Sequence, residues 1–127
     1  MPVERVLGIG GVFFRSDRPE ELRAWYARHL GVELQPYGGV TFRAEQGDVT
    51  IWHAFDRGSD YFPLEQEAML NYRVRDLEAM LAQLRTEGVE VRERTEESEH
   101  GRFGWATDLE GRLIELWQPP LGVYPEG

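Results

Sequence analysis

One pattern is written twice along this chain, and the repeat constrains its fold more than any other feature. Val12-Phe13-Phe14-Arg15-Ser16-Asp17, a helix-like run and then Gly31-Val32-Glu33 return as Leu70-Asn71-Tyr72-Arg73-Val74-Arg75-Asp76, a second helix-like run and Gly88-Val89-Glu90. Each half reads as strand, helix and three strands, a unit too small to bury its own apolar sheet face, so the two must meet. The sequence therefore predicts an α+β fold of two βαβββ modules sharing one domain, with a site where their concave faces look at each other.

The limits of the modules are readable from local signals. Residues 6–15 alternate imperfectly, with Val12 and Phe14 on one face and Gly11, Phe13 and Arg15 on the other, which predicts the first strand. Ser16 or Asp17 can cap a helix that begins at Pro19, carries Leu22, Trp25, Tyr26 and Leu30 at helical spacing, and stops at Gly31. Short strands fit residues 32–35, 40–44 and 49–55 around the turn formers Gly38-Gly39 and Gln46-Gly47-Asp48, closing a first module of about residues 5–55. Residues 56–67 are polar but include Tyr61, Phe62 and Pro63, so they predict a linker that folds partly back onto the body and could act as a lid. The second module, about residues 68–118, opens with a strand over 69–74, and Asp76 then caps an amphipathic helix striped by Leu77, Met80, Leu81 and Leu84 up to Gly88. A strand over 89–93, a charged loop over 96–100 and a hairpin of 103–107 and 112–118 around Asp108-Leu109-Glu110-Gly111 complete it, and a tail over 119–127 leaves the sheet at Pro119-Pro120.

Composition removes several functions. At 127 residues one domain is expected, and 14 Lys+Arg against 23 Asp+Glu give a net charge of −9, which disfavours nucleic acid and anionic membrane as partners. The lack of cysteine excludes a disulfide scaffold, thiolate metal ligands and a thiol nucleophile together. Residues 1–10 lack a basic stretch followed by a long apolar run, and the sequence nowhere reaches the roughly 18 apolar residues of a membrane span, so a cytoplasmic protein is expected.

Strand alternation sorts the remaining side chains. Leu70, Tyr72, Val74, Ile114 and Leu116 suit the helix side, while Met69, Asn71, Arg73, Leu113, Glu115 and Trp117 share the opposite face. That second face mixes aromatic, amide, guanidinium and carboxylate groups, as ligand pockets do, although a half-solvated sheet would also accommodate them. Glu115 is the candidate catalytic group: a general base, an anchor for a substrate cation, or the partner of Arg73 or Arg15, because an isolated buried charge normally acquires one. Asn71 and Arg73 could orient a carbonyl or carboxylate, and Trp52, Trp105 and Trp117 could stack on an aromatic ligand or simply pack in the core. Of the three histidines, His53 is the one expected to reach the pocket; His29 lies at a helix end and His100 in an acidic loop.

The segments Gly8-Ile9-Gly10-Gly11-Val12, Trp25-Tyr26, Asn71 to Leu77 and above all Gly101-Arg102-Phe103-Gly104-Trp105-Ala106-Thr107-Asp108-Leu109-Glu110-Gly111-Arg112-Leu113-Ile114-Glu115-Leu116-Trp117 resemble the glyoxalase, bleomycin resistance protein and extradiol dioxygenase superfamily, the vicinal oxygen chelate fold. The resemblance implies two βαβββ modules in a U-shaped incomplete barrel, homodimers, and in many members a divalent metal on the concave face. It maps the metal positions to Gly11, to Ile51 or Trp52, to Met69 and to Glu115, of which only Glu115 suits a metal, with His53 as a second donor only if the fourth strand presents it. Three protein ligands are usual at catalytic zinc. The expectation is therefore no bound metal, and a small-molecule ligand in a pocket drawn from Phe13, Arg15, Trp52, His53, Asn71, Arg73, Trp105, Glu115 and Trp117. The alternatives are a metal-dependent lyase, isomerase or dioxygenase, and a noncatalytic dimeric interaction module.

Overall fold

A computed structural model describes residues 4, 9 and 11–120. The elements are α1 (Pro19–Leu30), β1 (Asn71–Arg73), α2 (Leu77–Thr86), β2 (Glu96–Ser98), β3 (Gly101–Thr107) and β4 (Leu113–Gln118). They form an α+β unit around one four-stranded sheet in the order β1-β4-β3-β2. β3 and β4 are the antiparallel hairpin expected around Asp108 to Gly111, and β1 joins β4 in parallel with Asn71 opposite Glu115. Among the described residues, no helix is long and apolar enough to cross a membrane.

Both helices follow their local signals. Pro19 occupies the first turn of α1 with Glu20 and Glu21, and Gly31 ends it at φ 69°, the left-handed region that glycine enters without steric cost. The cap differs in part from expectation: Ser16 Oγ accepts from Arg18 N at 3.0 Å, but the side chain of Asp17 does not cap α1. Instead Glu110 Oε2, from the β3–β4 turn, accepts bonds from Ser16 Oγ at 3.0 Å, Asp17 N at 3.0 Å and Arg18 N at 3.2 Å. A carboxylate beside these free amides is favoured by the positive end of the helix. At α2 the expected cap forms, Asp76 Oδ1 accepting from Ala79 N at 3.0 Å.

The core lies between α2 and one sheet face. Leu77, Leu81 and Leu84 pack on Ala106, Ile114 and Leu116, all buried, and each large aliphatic side chain so removed from water is worth about 1.5–3 kcal/mol. Gly104 makes the approach close enough: a Cβ there would lie 2.9 Å from Leu81 Cδ1. The sheet's other face carries Trp105, Leu113, Glu115 and Trp117, also buried. What covers that face is the linker, which folds back onto it through Tyr61 and Gln66.

The strands expected in the first half are not formed among the described residues. Residues 32–44 supply only a Leu34–Val40 bridge, and residues 49–55 carry no regular secondary structure. At Val49 the carbonyl accepts from Arg73 Nη1 at 2.6 Å, a side-chain bond in place of a strand partner. Within the first expected strand, residues 11–15 are unpaired chain, and residues 6–8 and 10 lie outside the described residues, as does the tail beyond residue 120. In the second half two boundaries move. Residues 89–93 give only the Val91–Ala106 bridge, while Glu96–Ser98, expected as a charged loop, pairs with β3. An edge strand held by backbone bonds needs no apolar alternation, so charged side chains do not prevent it.

Candidate functional site

Alternation along β4 turns Glu115 away from Ile114 and Leu116 onto the face opposite α2, where only 6% of it remains exposed. Its carboxylate collects donors from three other segments. Oε1 accepts from Asn71 Nδ2 at 2.8 Å, across the parallel β1–β4 register, and Oε2 accepts from Trp105 Nε1 at 3.0 Å and from Tyr61 Oη at 2.5 Å. All three partners donate, which matches an ionised carboxylate as a pure acceptor. Burial raises the Tyr61 hydroxyl above the usual phenol range, and its bond to Glu115 raises it further, so the phenol keeps its proton.

The expected arginine pairing of Glu115 is not formed. Arg73 donates to Val49 and lies 3.6 Å from Asp48 Oδ2, and the carbonyl of Arg15 accepts from Arg112 Nη2 at 2.7 Å. Neutral donors suffice here because hydrogen bonds to the charged form replace much of the hydration lost on burial.

Aromatic groups wall the carboxylate. Tyr61 meets Trp105 edge to face at 6.1 Å and Phe55 at 5.5 Å, and Phe55 in turn lies 4.3 Å from His53. On the outer side the Arg94 guanidinium sits 4.5 Å above the Trp105 ring while pairing with Glu96. A cleft of about 370 Å³ opens there between Tyr61, Phe62, Arg92, Arg94 and Trp105. A second cleft, of about 520 Å³, lies between Phe13, Phe14, Arg15, Tyr26, Leu70 and Arg112. Pro63 and Leu113 line both, so the linker runs as a divider between them.

The structure thus brings together Glu115, Asn71 and Trp105 of the residues singled out from sequence, with His53 one ring further out. Phe13 and Arg15 line the other cleft. Trp52 is 79% exposed, and Trp117, on the site face, stacks on Phe103 and donates through Nε1 to the His100 carbonyl at 2.8 Å. His29 is buried against Glu87, with Nδ1 2.9 Å from Oε1. The residues that sequence reasoning missed are Tyr61 and Arg94, and the available signal for Tyr61 was an aromatic cluster inside a polar linker.

A divalent metal does not fit these residues. Gly11 has no side chain, Ile51 and Trp52 project into solvent without donor atoms for a hard cation, and Met69 offers a thioether. Both oxygens of Glu115 face N–H or O–H donors, whose positive ends would oppose a cation at that place. Among the described residues no three His, Asp or Glu side chains are grouped to hold a metal.

Comparison with known proteins gives a consistent picture. Residues 11–117 match the family profile of the Glyoxalase-like domain. No curated protein matches the chain. Among solved structures the chain is similar to TnmS3, an antibiotic binding protein from Streptomyces sp. CB03234, with 26% identity, a TM-score of 0.51, and 83% of this chain and 88% of that one covered.

Proposed function

This chain belongs to the glyoxalase-like domain family, and we propose that within it the protein is a small-molecule-binding member whose site is centred on Glu115 and works without a metal. The observation that carries this reading is the buried Glu115 carboxylate, held by side chains from β1, β3 and the linker and walled by Tyr61, Phe55 and Trp105. A mostly apolar wall around a few orienting polar groups is the usual composition of a ligand site. The likeness to an antibiotic binding protein supports antibiotics as the first class to try.

In this reading Trp105 and its neighbours contact the apolar body of the ligand, and Glu115 anchors a donor group on it, with Asn71 orienting the carboxylate. The test is titration of the wild-type chain with a panel of small-molecule antibiotics, followed by tryptophan fluorescence and by melting temperature. At least one compound should saturate and raise the melt, and Glu115→Gln should weaken it about tenfold or more, the scale of a hydrogen bond to a charged group. Saturable binding that Glu115→Gln leaves unchanged would move the site elsewhere, and no binding across the panel would remove antibiotics as the class.

A further inference from the structure

Tyr61 comes from a linker whose other attachments are unequal, and the inequality gives the linker a direction of opening. At its C-terminal end Gln66 binds β4 twice: its Oε1 accepts from Leu113 N at 2.9 Å and its Nε2 donates to Leu113 O at 2.8 Å. The side-chain amide thereby continues the ladder at the point where β1, which begins at Asn71, has not yet started. Gln66 N also closes a turn on Pro63 O at 3.0 Å. On the N-terminal side the attachments are an exposed ion pair, Arg57 Nη1 to Glu67 Oε1 at 2.9 Å, and ring contacts of Phe55 with Tyr61 at 5.5 Å and Phe62 at 5.6 Å. Residues 56–58 and 60 are exposed, a Cβ at Gly58 would meet nothing within 4 Å, and the turn there is held by Ser59 N to Asp56 O at 3.0 Å. Between the two lies one strong polar fastening to the sheet, the Tyr61 hydroxyl on Glu115.

We propose that residues 59–62 form a gate hinged at Pro63–Gln66, and that Tyr61 holds it shut by occupying the acceptor a ligand needs. This rests on the reading of Glu115 as the ligand anchor. Closed, the gate leaves Glu115 outside the lining of either cleft, and Pro63 and Leu113 stand between the two. Open, it uncovers Oε2 and joins the clefts into one concavity. Glu115 then loses one of its three donors, so a ligand group taking the place of the phenol must itself donate a hydrogen bond; an acceptor there would be rejected. Trp105 and Asn71 remain to hold the carboxylate in place during the exchange.

Amide hydrogen exchange on the ligand-free chain reads the gate directly. In the wild type, amides of residues 59–62 should exchange at least a hundredfold faster than Leu116 in the core strand, because local opening precedes global unfolding. Tyr61→Phe keeps the ring against Trp105 and removes the hydroxyl; it should speed exchange at 59–62 by about tenfold or more while Leu113, held by Gln66, stays protected. Gln66→Ala should instead release Leu113. Equal protection of the 59–62 amides and Leu116 in the wild type would overturn the proposal without recourse to any variant. So would Tyr61→Phe exchange that matches wild type, or that accelerates uniformly through β3 and β4. Since no ligand is present, failure here leaves the ligand reading standing, and failure of the antibiotic titration leaves the gate standing.

Discussion

Asp108 and Glu115 are both buried carboxylates that accept a tyrosine hydroxyl, and their surroundings differ in a way that bears on the proposed site. Asp108 takes Tyr26 Oη at 2.7 Å, but its other partners belong to its own turn: Glu110 N at 2.9 Å, Arg112 N at 3.0 Å and the Arg112 guanidinium at 3.5 Å. The turn cannot form without satisfying it. Among the described residues Glu115 has no backbone donor and no cation beside its carboxylate; its three donors are side chains from Tyr61, Asn71 and Trp105, the first on a linker whose residues 56–58 and 60 are exposed. A carboxylate built into backbone stays where it is. One assembled from side chains of separate segments can exchange a partner.

Asp108→Ala is the change that should strain the comparison most. It leaves the Tyr26 hydroxyl and two turn amides without their acceptor, and a loss of about 3 kcal/mol or more is expected in urea unfolding. A loss well under 1 kcal/mol would deny the scaffold role. Tyr26→Phe follows, at about 1.5–3 kcal/mol, since the bond is buried and charge-assisted. Burial pushes the Tyr26 hydroxyl up, with Tyr72 and Asp108 adding to it, so the lost group is a protonated donor throughout the neutral range. Glu115→Gln should cost only about 1 kcal/mol, because the amide oxygen can still face Tyr61 and Trp105 while Asn71 turns its own carbonyl toward the new NH₂. If it costs as much as Asp108→Ala, the two carboxylates are equivalent and Glu115 is structural.

The smallest effect is expected in acid. Desolvation acts upward on Glu110, but the bonds from Ser16, Arg112 and the Arg18 amide outweigh it and hold the carboxyl below its usual range. A depressed carboxylate contributes stability above its unfolded pKa and loses that contribution as pH falls through the folded value. The melting temperature of the wild type should therefore fall as pH drops below the ordinary carboxylate range, and Glu110→Gln should flatten that fall. Equal slopes in the two chains would show that Glu110 does not secure α1.

Much of this arrangement was legible in the sequence where the deciding interactions are local. Pro19, the acidic first turn and Gly31 bound α1, and Asp76 and the leucine spacing bound α2, because caps and amphipathic faces are set within a few residues. Alternation alone put Glu115 and Asn71 on one face. Contacts between distant segments were not legible. Tyr61 reaches Glu115 across 54 positions and Glu110 reaches Ser16 across 94, and neither distance leaves a periodic trace. Residues 40–55 failed in the opposite sense: their apolar spacing satisfies the pattern of strands, yet pairing requires a neighbour, which alternation within one segment does not specify.

The amide of Gln66 has a consequence for the life of the protein in a crowded solution. Strand edges with free N–H and C=O groups are templates on which other chains add, and β4 would present such a stretch at Leu113, beyond the reach of β1. Gln66 fills both groups with a side chain that cannot itself be extended into a further strand. The residue that hinges the gate thus also terminates the sheet, and a chain lacking it would expose an invitation to aggregate at the same place where its site opens.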